Sequence, residues 1–323
     1  MKEMLFVFNP CSGREQIRGK LMGILDLFTR TGYDIHVHVT QRQGDCREWV
    51  RDRGEGMDLI VCSGGDGTLN EAISGMLCLD QAPVLGYIPS GSTNDFASSL
   101  GIPRDMIEAA GDIVGGIPFP VDVGSFCQDR YFAYIAGFGA FTEVSYLTPQ
   151  DKKNWLGRNA YMIEGVKSLA GLKPRHMQVE WEGNVLEDDF VFGMVTNTVS
   201  VGGFKGLVNQ SVALDDGEFE VLLIRMPRTP VDLTNIINYM FLKAQPNEYV
   251  HKFKASSIRM YSDEPVDWVL DGEFGGSRTE VRIENLKQRI RIMRGREILG
   301  QEIGTIPEKL IAEKMSKYVE NPS

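Results

Sequence analysis

The chain holds 323 residues, 42% apolar and 24% charged, the proportions of an ordinary globular protein long enough for two domains. Its formal net charge of −10 argues against nucleic acid as the main partner, because a phosphate backbone is held by a basic field. Five dispersed cysteines without a C-x-x-C pair, a first apolar stretch ("MLFVF") too short for a signal peptide, and no run near the roughly 18–20 apolar residues of a membrane span together predict a cytoplasmic protein with no zinc or redox motif.

Roughly the first 120 residues alternate strand-like and helix-like patterns. "MLFVFNP" reads as a buried strand stopped by Asn9-Pro10, and "EQIRGKLMGILDLFTRTG" places Ile17, Leu21, Ile24, Leu25 and Phe28 at helical spacing with Gly32 as its stop. "YDIHVHVT" alternates as a strand and "GDCREWVRDRGEG" follows as a helix. "MDLIVCSGG" and "APVLGYIPSGS" are strands, followed by the helices "TLNEAISGML" and "TNDFASSLGIP". This β-α-β-α order predicts a Rossmann-like parallel α/β domain. Near residue 118 the pattern changes to strands in succession, from "FPVDVGSF" and "RYFAYIAG" through "HMQVEWEG", "VLEDDFVFGMVTN", "EFEVLLIR", "YVHKFKASSIRMYS" and "VDWVLDG" to "RTEVRIE" and "QRIRIMR". Their hairpin spacing predicts an antiparallel β-sandwich. Helices are expected at "LGRNAYMIEGVKSLAGL", "PVDLTNIINYMFLKAQ" and "IPEKLIAEKMSKYVE". The expected division is 1–121 and 122–295, with a tail, 296–323, packing back on the first domain.

Three strand ends carry glycine- or hydroxyl-rich turns. "SGGDGTLNE" (63–71) is neither G-x-G-x-x-G nor a Walker A loop, but Gly64, Gly65 and Gly67 ahead of a helix suit anion binding. The alternative is a plain strand-to-helix turn capped by Asp66 or Thr68. "PSGSTNDF" (89–96) admits the same two readings, and "NPCSGRE" offers backbone at Ser12-Gly13 together with Arg14. Ligands of an open parallel sheet bind at the carboxyl ends of its strands, so these loops and Thr40 face one crevice. The D-G pairs in "LDDGEF" and "LDGE" read either as solvated hairpin turns or as carboxylate sites. The histidines (His36, His38, His176, His251) form no ligand cluster in the sequence.

Taken in order, "NPCSG", Thr40 ahead of "GDC", "SGGDGT", "GSTNDFA", "LDDGEFEV" and "LDGE" resemble the diacylglycerol kinase catalytic-domain family, which includes bacterial lipid kinases and the sphingosine and ceramide kinases. The G-G-D-G-T loop is shared with phosphofructokinases and NAD kinases; the later carboxylate motifs point to the lipid kinases. Many relatives carry G-T-[GAT]-N-D in the second loop, where this chain keeps a hydroxyl at Ser92.

The resemblance implies an ATP- and Mg²⁺-dependent kinase of diacylglycerol or a similar lipid, its nucleotide cleft lying between the two domains. ATP would be held by Asn9, Ser12, Gly13, Arg14, Thr40, Gly64, Gly65, Asp66, Gly67, Thr68, Leu69, Asn70, Ser92, Asn94 and Asp95. Glu273 matches the family's general base, with Asp271, Asp66 and Asp122 completing the catalytic set. Asp216, with the carbonyls of Ala213 and Glu218, matches a structural Mg²⁺ site. The expected partner is a lipid presented at a membrane surface, and a homodimer stays open. The segment 151–175 carries Lys152, Lys153, Arg158, Lys167, Lys173 and Arg175, which read either as a solvated face or as a contact with anionic headgroups at about 1 kcal/mol per basic residue. Apolar residues at 136–141, 201–206 and Tyr239–Leu242 read as sandwich core or as an acyl groove.

Overall fold

The computed structural model describes residues 2–15, 17–139, 173–198, 200–201, 204–205, 213–242 and 247–296. In the first part, strands β1 (Lys2–Phe8), β2 (Tyr33–Val39), β3 (Leu59–Gly64) and β4 (Val84–Pro89) alternate with helices α1 (Ile17–Arg30), α2 (Asp45–Arg53), α3 (Asp66–Met76), α4 (Asp95–Leu100) and α5 (Met106–Gly115). The strands pair in parallel in the order β4-β3-β1-β2. All six residues of β3 are buried, as expected of a parallel strand covered on both faces. On α1, Ile17, Ile24 and Phe28 are buried and Leu21 and Leu25 half-buried, so the helical spacing in the sequence marks the core-facing stripe. Gly32, at φ 90°, ends that segment. Helix α5 is absent from the expectations above. Asp105 caps it by accepting from the N–H groups of Ile107 and Glu108, and it buries Met106, Ala109, Ala110 and Ile113.

The second part is antiparallel. It comprises β5 (Ile117–Phe126), β6 (Arg130–Phe132), β7 (Ile135–Gly139), β8 (Arg175–Trp181), β9 (Asn184–Thr196), β10 (Ser200–Val201), β11 (Phe204–Lys205), β12 (Phe219–Arg225), helix α6 (Pro230–Leu242), β13 (Val250–Ala255), β14 (Ser257–Leu270) and β15 (Glu273–Arg294). A distinct core forms here, with Trp268 packed between Phe126 and Phe138 at ring distances of 5.3 and 5.0 Å. Segments expected as separate strands fuse: "RTEVRIE" and "QRIRIMR" are one β15, which stays continuous because a register irregularity between Leu286 and Ile290 absorbs the polar break.

Strands β5 and β15 join the two parts. They pair antiparallel from Ile117↔Arg294 to Phe126↔Ile283, and β15 ends beside β4, in parallel, at Ile292↔Leu85. One hydrogen-bonded path therefore runs from β13 to β2. The expected boundary at 121/122 falls inside β5, whose Val121 belongs to the first core and Phe126 to the second. The expected helix at 156–172, the basic segment apart from residues 173–175, half of the 201–206 loop and nearly all of the tail from 296 lie outside the described residues.

Candidate active site

The parallel register aligns the strand ends: Phe8 lies beside Val39 and Ser63, and Gly64 beside Pro89. Backbone bonds continue the ladder into the loops, from Asn9 N–H to the Ser63 carbonyl (2.9 Å), Thr40 N–H to Phe8 (3.0 Å) and Ser90 N–H to Gly64 (2.8 Å). Asn9 also accepts from Cys11 N–H at 2.9 Å and so shapes the first loop.

The loop glycines serve contact between loops. A Cβ at Gly13, whose φ is +56°, would lie 1.7 Å from the Ser90 carbonyl oxygen, and one at Gly91 would lie 2.6 Å from Gly65 Cα. The three loops can touch only where there is no side chain. Asn94 (φ 53°) clamps the last loop, accepting from Gly91 N–H (2.9 Å) and donating to the Gly91 carbonyl (2.7 Å). It is buried and committed to the loop, whereas Ser92 is exposed. Thr68 fills the space over Gly64. The Leu69 side chain is fully buried in the core and its N–H is bonded to the Gly65 carbonyl.

Helix α3 starts at Asp66 with no side-chain cap, leaving first-turn N–H groups at the crevice as anion donors. The Asp66 carboxylate instead reaches α4, accepting from the N–H groups of Asp95 (3.3 Å) and Phe96 (3.4 Å). One helix end is thus served by a protein anion and the other is open to a ligand's. Burial, then the neighbouring Asp95 carboxylate, pushes the Asp66 carboxyl up to about 6, against the pull of Phe96 N–H. A carboxyl raised on folding contributes stability that is complete below its unfolded value, 3.8, and lost as pH rises through about 6. Nucleotide-free protein is therefore expected to lose more unfolding free energy between about pH 5 and pH 7.5 than Asp66→Asn does in parallel urea titrations.

Asp271, at φ 49° in the turn between β14 and β15, is buried. It accepts from Ala133 N–H (2.6 Å), Tyr134 N–H (3.0 Å), Ile135 N–H (2.9 Å) and the Asn70 amide (2.7 Å). Burial lifts its carboxyl to about 6 against the pull of those donors. Asn70 also donates to the Tyr131 carbonyl (2.9 Å), so α3 is stitched to the sandwich. Two residues after Asp271, Glu273 is exposed, and its Oε1 lies 3.4 Å from where a Cβ on Gly67 would stand. The base candidate therefore overhangs the open end of α3.

Sequence reasoning missed two supports of this arrangement. Gln43 donates to Glu273 at 3.0 Å, and Glu71 holds the same loop by accepting from Gly44 (2.7 Å) and Cys46 (3.2 Å) N–H. Glu71 lies one turn along α3 from Gly67, and that spacing is the one local signal for its place.

Asp122 and the 213–218 loop form a separate cluster. The Asp122 carboxylate, fully buried, accepts from Gly217 N–H (2.7 Å), Gln288 N–H (2.6 Å) and the Asn285 amide (3.3 Å). These partners make it an anchor of the loop on β15; the catalytic part expected for it from the sequence is not what these bonds address. The Asp216 carboxylate accepts from Glu218 N–H (3.0 Å) and pairs with the Lys254 ammonium (2.9 Å). The donors Ala213, Asp216 and Glu218 are oxygen atoms of the kind Mg²⁺ takes. Yet a cation already occupies the one carboxylate among them, so this set does not fit a resident ion.

A parallel α/β unit with an open helix end, overhung by a sandwich carboxylate, has the parts that phosphoryl transfer uses: an anion site and a candidate base. The comparisons agree. Residues 3–126 match the family described as "Diacylglycerol kinase catalytic domain", and residues 137–294 match the "YegS C-terminal NAD kinase beta sandwich-like domain". A diacylglycerol kinase of Bacillus subtilis (strain 168) is 36% identical over 85% of this chain and 91% of its own length. One from Staphylococcus aureus (strain MRSA252) is 32% identical over 94% of this chain and 95% of its own. A solved structure from Bacillus anthracis (str. Sterne), 27% identical, covers 92% of this chain and 98% of that chain with a TM-score of 0.79. The chain belongs to the diacylglycerol kinase catalytic-domain family and is a lipid kinase. Among the described residues, no helix is long and apolar enough to cross a membrane.

Proposed function

We propose that this chain transfers the γ-phosphate of ATP to the hydroxyl of a diacylglycerol, in a reaction that needs Mg²⁺. The observation that carries the reading is the placement of Glu273: an exposed carboxylate over the first turn of α3, while Asp66, Asp271 and Asp122 are committed to N–H donors. The phosphates lie against the open end of α3 and the backbone of the Asn9–Arg14, Gly64–Gly67 and Ser90–Ser92 loops, with Thr40 beside them. The acceptor enters from the sandwich side. Its hydroxyl oxygen forms a bond to the γ-phosphorus, the bond from that phosphorus to the ADP oxygen breaks, and the hydroxyl proton passes to Glu273. A proton transfer of this kind is worth about 10²–10⁴-fold in rate.

Phosphoryl transfer rests on positioning and on neutralising charge. Each Asp66 oxygen accepts one N–H and keeps a second lone pair, so Asp66 and the neighbouring Asp95 would still be able to hold a divalent ion that arrives with the nucleotide. Bound there, Mg²⁺ would supply charge neutralisation of the phosphates. The division into a nucleotide unit, 1–121, and an acceptor unit, 122–295, is proposed as a division of labour, with β5 and β15 shared between them.

The reading is tested by ADP release in mixed micelles with and without dioleoylglycerol, in Mg²⁺ and in EDTA. Release that requires both lipid and metal supports it. Equal release without lipid would sink it.

A further inference from the structure

We infer that the 213–218 loop is held by an internal cation, the Lys254 ammonium, and takes no resident metal ion. The position of Lys254 is set by strand pairing. Strands β12 and β13 run antiparallel with Glu220 directly opposite Lys254, and the neighbouring Phe253 stacks on Trp181 of β8 at 3.9 Å. Glu220 is 4% exposed, and its Oε1 has no hydrogen bond; Lys254 Nζ lies 3.5 Å from that oxygen. A buried carboxylate needs a counter-charge. Glu220 therefore draws the ammonium toward it from the strand side, with Lys252 the other cation in its field.

The same ammonium is 2.9 Å from Asp216 and 3.9 Å from Glu218. It thus stands among three carboxylates. Protein groups hold the rest of the loop: Asp122 N–H bonds the Leu214 carbonyl (2.8 Å), the Gln288 amide bonds the Asp215 carbonyl (3.1 Å), and Asp122 accepts from Gly217 N–H (2.7 Å). A divalent ion on Asp216 would lie against a like charge that Glu220 also attracts.

The test uses nucleotide-free, full-length protein, so it is independent of the kinase reading. Unfolding midpoints are compared in EDTA and in millimolar Mg²⁺ for wild type, Lys254→Arg and Lys254→Met, and Mg²⁺ is titrated calorimetrically into wild type and Asp216→Asn. The expected wild-type midpoint is the same in both buffers, and Lys254→Arg behaves alike. Lys254→Met falls by about 5 °C or more in EDTA and regains part of that in Mg²⁺. A wild-type midpoint that falls on chelation would overturn the inference. So would a stoichiometric Mg²⁺ site in wild type that Asp216→Asn abolishes, or a Lys254→Met midpoint equal to wild type in EDTA. If Lys254→Met does not fold, the wild-type and Asp216→Asn measurements decide.

Discussion

Asp271→Ala is expected to lose on the order of 3–5 kcal/mol of unfolding free energy, the upper range for a substitution that strands several buried hydrogen-bond donors. The carboxylate is the common acceptor for the N–H groups of Ala133, Tyr134 and Ile135 and for the Asn70 amide. Alanine leaves the three N–H groups without this partner, while the Asn70 amide keeps the Tyr131 carbonyl, and each stranded buried donor costs about 1–3 kcal/mol. The effect also spreads. Asn70 ties α3 to the turn, and the turn carries Glu273, so the variant loosens the geometry on which transfer depends. Urea unfolding of the full chain checks the magnitude; a loss below about 1 kcal/mol would show that the hydrogen bonds are not the anchor described here.

Glu273→Gln should act the opposite way, on rate without stability. Glutamine has the same shape and still bonds Gln43, and position 273 is exposed, so the unfolding free energy should stay within about 0.5 kcal/mol of wild type. The amide cannot take the acceptor's proton, and kcat is expected to fall by about 10²–10⁴-fold with ATP affinity preserved. Initial rates with saturating ATP, paired with calorimetric ATP binding, separate the two effects. Wild-type turnover in this variant would remove Glu273 as the base.

Much of the fold could be read from the residues because parallel strands buried on both faces leave plain apolar runs. Strand β3 and the stripe on α1 were legible for that reason. Helix α5 escaped although Asp105 and Glu108 have capping-box spacing, since only Met106 and Ile113 of its buried face are large and apolar, beside two alanines. The extent of β15 escaped as well, because a strand that changes partners past an irregularity reads as two. In the site, the types of residue were legible and their commitments were not. Whether a carboxylate is bonded or available depends on residues far away in the chain, as with Asn70 and Asp271, or Gln43 and Glu273. Asp66 is a carboxylate within a turn that suits anions, and its partners on α4 show why the turn tolerates it. Lys254 carried no local signal, since its meaning comes from lying across from Glu220 in a ladder.

The central claim is that the hydroxyl reaching Glu273 belongs to a diacylglycerol. It is tested by incubating the protein with γ-labelled ATP, Mg²⁺ and mixed micelles containing, in separate tubes, diacylglycerol, phosphatidylglycerol, a sphingoid base or free glycerol, and by identifying the labelled product. The account predicts labelled phosphatidate from diacylglycerol as the main product, strongly reduced in Glu273→Gln. Label confined to glycerol, or to none of the acceptors, would contradict it.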